Sequence, residues 1–150
     1  MDSTDKAILR LLQSDCTLSV SEIAERVSLT TTPCWKRIQR MEQKGIIEKR
    51  VTLVNPEALG LTMTVFVLVK TGSHDFEWLN GFANQTAEFE EVVEIYRMSG
   101  VYDYMLKVIV SDMKAFDDFY KKLVSQVSLV EVTSSFAMEQ IKYTTALPVK

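Results

Sequence analysis

Residues 19–44, SVSEIAERVSLTTTPCWKRIQRMEQK, predict two short amphipathic helices joined by a tight polar turn. In the first helix, apolar residues recur three and four positions apart, which places them on one face. Ser19 followed by Glu22 is a capping box, a usual sign of a helix start. The turn at residues 28–30 leads into a second helix, and Pro33 falls in its first turn, where a missing N–H costs little. A helix pair of this length indicates a helix-turn-helix, the motif that places its second helix in the DNA major groove.

The second helix of this pair has an apolar face and a basic face. Cys34, Ile38 and Met41 repeat at helical spacing and are predicted to face inward. Residues 36–50 carry six positive charges against two negative ones, whereas residues 61–150 carry eight against twelve. A basic patch in a chain of net charge −3 favours DNA as the partner of the N-terminal part. The alternative is that the charged helix face is merely solvated.

The candidate DNA contacts follow from this arrangement. Two threonines lie at the N-terminus of the second helix, where phosphate groups bind favourably. Basic side chains on its outer face are candidates for base or phosphate contacts, and two later cations are candidates for contacts with the DNA backbone. The predicted contacts are Thr31, Thr32, Lys36, Arg37, Arg40, Lys49 and Arg50. Alternatively, Arg37 or Arg40 pairs with an acid such as Glu42. Trp35 is predicted to pack in the core rather than to anchor an interface.

The pattern around the helix pair divides the chain into two predicted domains. An amphipathic helix over residues 4–15 precedes the pair, and a β-rich basic segment over residues 46–54 follows it as a predicted hairpin. Residues 1–54 are therefore predicted to form a winged helix-turn-helix. An Asn-Pro pair then breaks the pattern, and residues 55–61 are the predicted linker.

Residues 62–150 are predicted to form a ferredoxin-like β-α-β-β-α-β domain, so the predicted fold class is α+β. Strands are predicted over residues 62–71, 91–98, 102–110 and 130–142, and helices over residues 76–87 and 112–127. Both helices of such a unit cover one face of the sheet, which leaves the other face open. A second copy of the chain is the simplest partner for that face, so a homodimer is predicted. A dimer also presents two recognition helices to a palindromic operator on double-stranded DNA.

The composition disfavours several other classes of protein. The sequence has no apolar run of transmembrane length and no signal-peptide pattern, so a cytoplasmic protein is predicted, with no membrane partner. Cys16 and Cys34 form no disulfide or metal-binding motif, and the single histidine, His74, is predicted to be a surface residue. Because the sequence shows no paired acid and base and no phosphate-binding glycine loop, we predict no enzyme activity, catalytic site, metal or cofactor.

Three segments carry a family resemblance that covers essentially the whole chain. They are SLTTTPCWKRIQRMEQKGII (28–47), SGVYDYML (99–106) and MEQIKYTTALP (138–148). In this order and spacing they resemble the Lrp/AsnC, or feast/famine, family of bacterial and archaeal transcription regulators. Trp35 departs from the aliphatic residue common in that family. Together with the segment SFAMEQIKYTT, it resembles the subgroup that controls cysteine detoxification.

The resemblance implies that an amino acid binds in the C-terminal domain, between dimers, and alters assembly and DNA binding. The implied pocket uses residues of the turn before the third strand, and residues at the start of the fourth strand of a neighbouring dimer. The turn residues are Met98, Ser99, Gly100, Val101, Tyr102, Asp103 and Tyr104, and the residues from the neighbouring dimer are Thr133, Ser134 and Ser135. In it, Asp103 would accept a hydrogen bond from the α-ammonium group, and backbone N–H groups near Gly100 with the Ser134 hydroxyl would hold the α-carboxylate. Alternatively, Gly100 serves only the turn and Asp103 pairs only locally.

The implied function is that of a transcription regulator that responds to an amino acid, with cysteine, leucine and methionine as candidate effectors. The resemblance also implies a homodimer that assembles to an octamer and is associated with the bacterial nucleoid. The alternative function is an architectural protein that wraps DNA and has no effector.

Overall fold

The computed structural model describes residues 1–72, 76–126 and 129–150, so the predicted surface position of His74 lies outside the described residues. The chain forms two compact units. The first consists of Met1–Leu53 together with Ile141–Lys150, and the second of Val54–Gln140.

The first unit contains three helices, α1 (Ser3–Ser14), α2 (Val20–Arg26) and α3 (Thr31–Gln43). The predicted capping box at the start of α2 is present. Ser19 N donates to Glu22 Oε2 at 2.8 Å, and Glu22 N donates to Ser19 Oγ at 3.2 Å. These two bonds satisfy backbone donors that the helix itself leaves without a partner.

A small apolar core holds the three helices together. Cys34, Ile38 and Met41, which were predicted to face inward, are each at most 2% exposed. They pack with Ile8, Leu9, Ile23 and Ala24. Gly45, with φ of 67°, ends α3 in the left-handed conformation that glycine adopts without a Cβ penalty.

The hairpin predicted over residues 46–54 is not formed. All residues in this range are described, and none belongs to a strand. Val51, Leu53 and Val54 are instead more than half exposed. The segment has β-forming side chains but alternates poorly, and a strand also needs a hydrogen-bonded neighbour, which the single chain does not give it.

The second unit is a four-stranded antiparallel sheet with two helices. Its elements are β1 (Met63–Lys70), α4 (Phe76–Ala87), β2 (Val92–Arg97), β3 (Tyr104–Val110), α5 (Met113–Gln126) and β4 (Glu131–Phe136). The chain order and the sheet order β2-β3-β1-β4 confirm the predicted ferredoxin-like unit. The last strand ends at Phe136 rather than at residue 142, because residues 137–142 have no ladder partner beyond the start of β1.

The sheet has one covered face and one open face. Val65, Val67, Leu106 and Val108 are fully buried and pack with aromatic residues of the two helices. The residues that alternate with them on β1 and β3 are only half-buried. This open-face set comprises Thr64, Phe66, Leu68, Met105, Lys107 and Ile109. The uncovered face that the sequence predicted is therefore present.

After β4 the chain returns to the first unit, where its C-terminal segment is hydrogen-bonded to α1. Gln13 Nε2 donates to the Leu147 carbonyl at 3.2 Å, and Leu147 N donates to Gln13 Oε1 at 2.6 Å. Arg10 Nη2 donates to the Val149 carbonyl at 2.9 Å, and the Val149 side chain packs against the helical core. These contacts explain why residues 141–150 group with the first unit, whereas the sequence placed them in the second domain.

Candidate DNA-binding surface and effector site

A sharp turn positions the start of α3. Ser28 has a φ of 55°, the left-handed conformation that non-glycine residues rarely adopt, and it reverses the chain between α2 and α3. Thr30 is the N-cap of α3, but its side chain makes no capping hydrogen bond. The first backbone N–H groups of α3 therefore lack a side-chain cap. The hydroxyls of Thr31 and Thr32, which were predicted to hold a phosphate, are exposed beside them.

The outer face of α3 lies opposite the core residues and is largely polar. The exposed residues of this helix are Thr31, Thr32, Pro33, Trp35, Lys36, Arg40 and Gln43. Lys36 lies near the middle of the face, because it is about 200° around the helix from the buried Cys34. Lys49 and Arg50 are also exposed, and Arg50 Nη2 lies 3.1 Å from Glu42 Oε1. Among the described residues, neither Lys36 nor Lys49 forms an ion pair.

Arg37 and Arg40 are engaged with two acids at the start of α1. Arg37 Nη1 lies 2.6 Å from Asp2 Oδ2 and 2.7 Å from Asp5 Oδ1. Arg40 Nη2 lies 2.8 Å from Asp5 Oδ2. The alternative of an acidic partner is thus observed for both arginines, although the acids lie on α1. We call these four residues the α1–α3 charge cluster.

The side chains of the charge cluster are ionised, and they join α1 to α3 in the first unit. The Asp5 side chain is only 3% exposed, and burial by itself would raise its pKa. The hydrogen bonds from Arg37 and from the Asp2 backbone N–H, with the charge of Arg40, outweigh burial and hold the pKa of Asp5 below its usual value. The same hydrogen bonds to Asp2 and Asp5 raise the pKa of Arg37. The cluster therefore fixes α3 against α1 with charge-assisted hydrogen bonds.

Trp35 is 49% exposed, so its predicted position in the core is wrong. It follows Cys34 directly, which turns its side chain about 100° away from the buried face. Trp35 does not fall at the helical spacing that Cys34, Ile38 and Met41 share. This is the signal in the sequence that identifies it as a surface residue. Cys34 itself is fully buried, and burial raises the pKa of its thiol.

The residues predicted to bind an effector lie at two places in the second unit. Residues 98–104 lead into β3, and residues 133–135 lie on β4, with β1 between these strands. Tyr102 joins the two places. Its hydroxyl lies 3.0 Å from Thr133 Oγ1 and donates to Glu131 Oε1 at 3.1 Å. Within one chain the two segments are therefore neighbours, whereas the predicted pocket takes residues 133–135 from a neighbouring dimer.

Within this site the structure shows a hydrogen-bond partner of Asp103, Thr71 directly after β1, and the backbone conformation of Gly100. Asp103 Oδ2 accepts from Thr71 N at 2.8 Å and from Thr71 Oγ1 at 3.1 Å. Gly100 has a φ of 151°, which L-residues rarely adopt, while a Cβ there would meet no atom within 4 Å. The backbone conformation at this position therefore requires glycine, whereas no neighbouring atom would exclude a side chain. Binding of an effector by these residues stays a prediction.

The three predicted residues of β4 do not share one face of the sheet. In the strand register, Thr133 and Ser135 lie opposite Leu68 and Phe66 of the open face. Ser134 points to the helical side, where it lines a groove of about 630 Å³ beside α5. A pocket formed within one chain therefore uses either Ser134 or its two neighbours, because strand side chains alternate.

In the described ranges, no group of three or more histidine, cysteine, aspartate or glutamate side chains is arranged to hold a metal ion. The helices in this part of the chain lack the length and apolar character that crossing a membrane requires.

Matches of the two units to family models define the class of protein, a helix-turn-helix DNA-binding regulator with a ligand-binding domain. Residues 1–48 match the family model for a winged helix-turn-helix DNA-binding domain, and residues 64–147 match the model for the Lrp/AsnC ligand binding domain. The chain belongs to the Lrp/AsnC family of DNA-binding transcriptional regulators.

Several similar proteins have been described. The DNA-binding transcriptional activator DecR of Escherichia coli strain K12 is 54% identical over 100% of this chain and 99% of its own length. A crystal structure of an AsnC family transcriptional regulator from Agrobacterium tumefaciens is 53% identical, with a TM-score of 0.96 over 99% of this chain and 97% of that one. The L-Met complex of a Neisseria meningitidis regulator is 33% identical, with a TM-score of 0.93 over 99% and 96% of the two chains.

Proposed function

We propose that this chain is a sequence-specific transcription regulator of the bacterial cytoplasm and nucleoid, whose assembly or DNA binding responds to an amino acid. The observation that carries the proposal is the pairing of an exposed cationic α3 with a ligand-binding domain of the Lrp/AsnC type. The L-Met complex of the Neisseria meningitidis regulator supports an amino acid as the effector class. Cysteine, leucine and methionine are the candidates, and cysteine follows from the resemblance to the cysteine-detoxification subgroup.

The DNA-contacting surface that we propose is the outer face of α3 with the segment after it. Lys36 and Arg40 are the proposed contacts with the duplex, Thr31 and Thr32 hold a phosphate at the helix start, and Lys49 and Arg50 contact the DNA backbone. Arg37 was predicted as a further contact. Its side chain is 27% exposed and bonded to two acids, so we assign it to the positioning of α3.

The proposed assembly is a homodimer through the open face of the sheet, with four dimers forming an octamer. Phe66, Leu68 and Ile109 are half-buried apolar residues on that face, and a second copy would cover them. The dimer then presents two copies of α3 to two halves of a palindromic operator.

Replacement of Lys36 by alanine tests the DNA-binding surface. We expect DNA affinity to fall about tenfold at low salt, and the slope of log affinity against log salt to shrink by about one unit, because one phosphate contact is lost. Fluorescence anisotropy of a labelled duplex over a salt series measures both quantities. Lys114→Ala removes another exposed lysine, on α5 of the second unit, and should change neither. Equal losses in the two variants would show that α3 is not the contact surface.

A thermal-shift screen against the twenty amino acids tests the effector proposal, since a ligand that binds the folded state raises its melting temperature. We expect one or a few amino acids to raise it, and Asp103→Asn to abolish that rise. Asparagine keeps an acceptor for Thr71 but removes the charge that the α-ammonium group requires. A retained rise in the variant would move the pocket elsewhere. A silent screen of the wild-type chain would favour the architectural function without an effector.

A further inference from the structure

We propose that Trp35 is a specificity-determining residue, which packs its indole ring against the 5-methyl group of a thymine in the operator. The inference rests on the proposed role of α3 in the major groove. It adds an apolar base contact to a surface whose other proposed contacts are polar or charged.

The position of Trp35 on α3 suits a base contact. The N-terminal part of a recognition helix is the part that reaches base edges, and Trp35 is the fifth residue of a helix that begins at Thr31. Trp35 lies one turn after Thr31, as Lys36 lies one turn after Thr32, so these four side chains are neighbours at one end of the helix. A side chain that contacts a phosphate and one that contacts a base would thus be adjacent.

Trp35 is the one large apolar side chain that α3 exposes. Tryptophan carries one of the largest apolar surfaces of any side chain and is usually buried. Here 49% of it stays exposed, although Cys34 beside it is completely buried. An apolar surface kept exposed on this face is available to a partner.

The chemistry of the major groove points to thymine. Among the base edges there, thymine is the one that presents a methyl group, while the other groups are hydrogen-bond donors and acceptors. An indole ring over that methyl group removes apolar surface of both partners from water. Burial of one methyl-sized group corresponds to about a fourfold difference in affinity. The contact therefore favours thymine at one position in each half-site.

The test begins with a duplex that the wild-type chain selects from a random-sequence pool. Each thymine of that duplex is then replaced in turn by deoxyuridine, which removes only the methyl group. We expect one position in each half-site at which deoxyuridine weakens wild-type binding about fourfold. At that position the Trp35→Ala variant should bind both duplexes equally, and the Trp35→Phe variant should regain part of the discrimination. Identical deoxyuridine profiles for wild type and Trp35→Ala would overturn the inference.

Fluorescence gives a second measurement on the full-length chain. The chain has two tryptophans, so a Trp78→Phe background leaves Trp35 as the only indole. Saturation with the selected duplex should shift or quench its emission, and a duplex without the selected sequence should do so less. Unchanged emission at saturation would overturn the inference. If the wild-type chain enriches no sequence from the pool, sequence-specific binding itself fails, which distinguishes failure of the proposed function from failure of the Trp35 contact.

Discussion

Replacement of Asp5 by alanine is expected to lower the free energy of unfolding of the first unit by about 2–3 kcal/mol. The change leaves Arg37 and Arg40 without the carboxylate that both of them contact. Removal of one partner from a fully buried ion pair costs about 3–5 kcal/mol. The expected loss is smaller because the side chains of Arg37 and Arg40 are 27% and 50% exposed, so water replaces part of what they lose.

Calorimetry of the full chain measures this effect. For a unit of this size, the loss corresponds to a fall in melting temperature of roughly 10–20 °C. Asp118→Ala is the matched control, because it removes an exposed carboxylate paired with Lys114 on α5 and should have almost no effect. Equal shifts in the two variants would show that the charge cluster does not stabilise the first unit.

The pH dependence of the Asp5 effect has a definite sign. The pKa of Asp5 is lowered in the folded chain, so folding favours the ionised carboxylate. Its contribution to stability is fully present above the pKa of the unfolded chain, about 3.9, and is lost as pH falls through the lower pKa of the folded state. The difference in melting temperature between wild type and Asp5→Ala should therefore be constant near neutral pH and shrink below about pH 4.

Replacement of Leu68 by lysine is expected to raise the dissociation constant of the proposed dimer by at least about 100-fold. Leu68 lies on the open face of the sheet, opposite Met105 on one neighbouring strand and Thr133 on the other. A lysine there would bring an unpaired charge into the contact between two copies, and burial of such a charge costs several kcal/mol.

Sedimentation equilibrium over a range of protein concentrations measures the dimer constant directly. Val124→Lys makes a comparable change on α5, where the native side chain is already 40% exposed, and should leave the constant unchanged. If the Leu68→Lys variant dimerises as tightly as the wild-type chain, the open face is not the dimer contact. Circular dichroism on the same samples separates loss of assembly from loss of folding.

The local signals in the sequence predicted most of the secondary structure. The capping box at Ser19 and Glu22, the spacing of Cys34, Ile38 and Met41, and the two apolar faces of the second-unit helices act over a few residues, so a single sequence contains them in full. The order of strands and helices then defined the ferredoxin-like unit. The last strand was predicted too long, because β-forming residues continue past Phe136 where the ladder ends.

The differences from prediction have two causes, contacts between residues that are distant in the sequence and the direction of a side chain on its own helix or strand. The partners of Arg37 and Arg40 lie 32 to 35 positions earlier in the chain, and no local pattern joins them. The apolar character of Trp35 favours the core, but its angular position on α3 places it on the surface. In the candidate effector site, alternation on β4 separates Ser134 from Thr133 and Ser135, whereas the prediction treated the three as one group.

The return of the C-terminus to α1 changes what a DNA-binding fragment of this protein would have to contain. A fragment that ends at residue 53 lacks the main-chain groups of Leu147 and Val149 that Gln13 and Arg10 bind. In the order of the chain, the ligand-binding domain is an insertion within the DNA-binding unit. Residues of that unit precede it and follow it. The inserted domain is therefore joined to the DNA-binding unit by two covalent connections, and the second of them leads to a segment that is hydrogen-bonded to α1, the helix that carries Asp5.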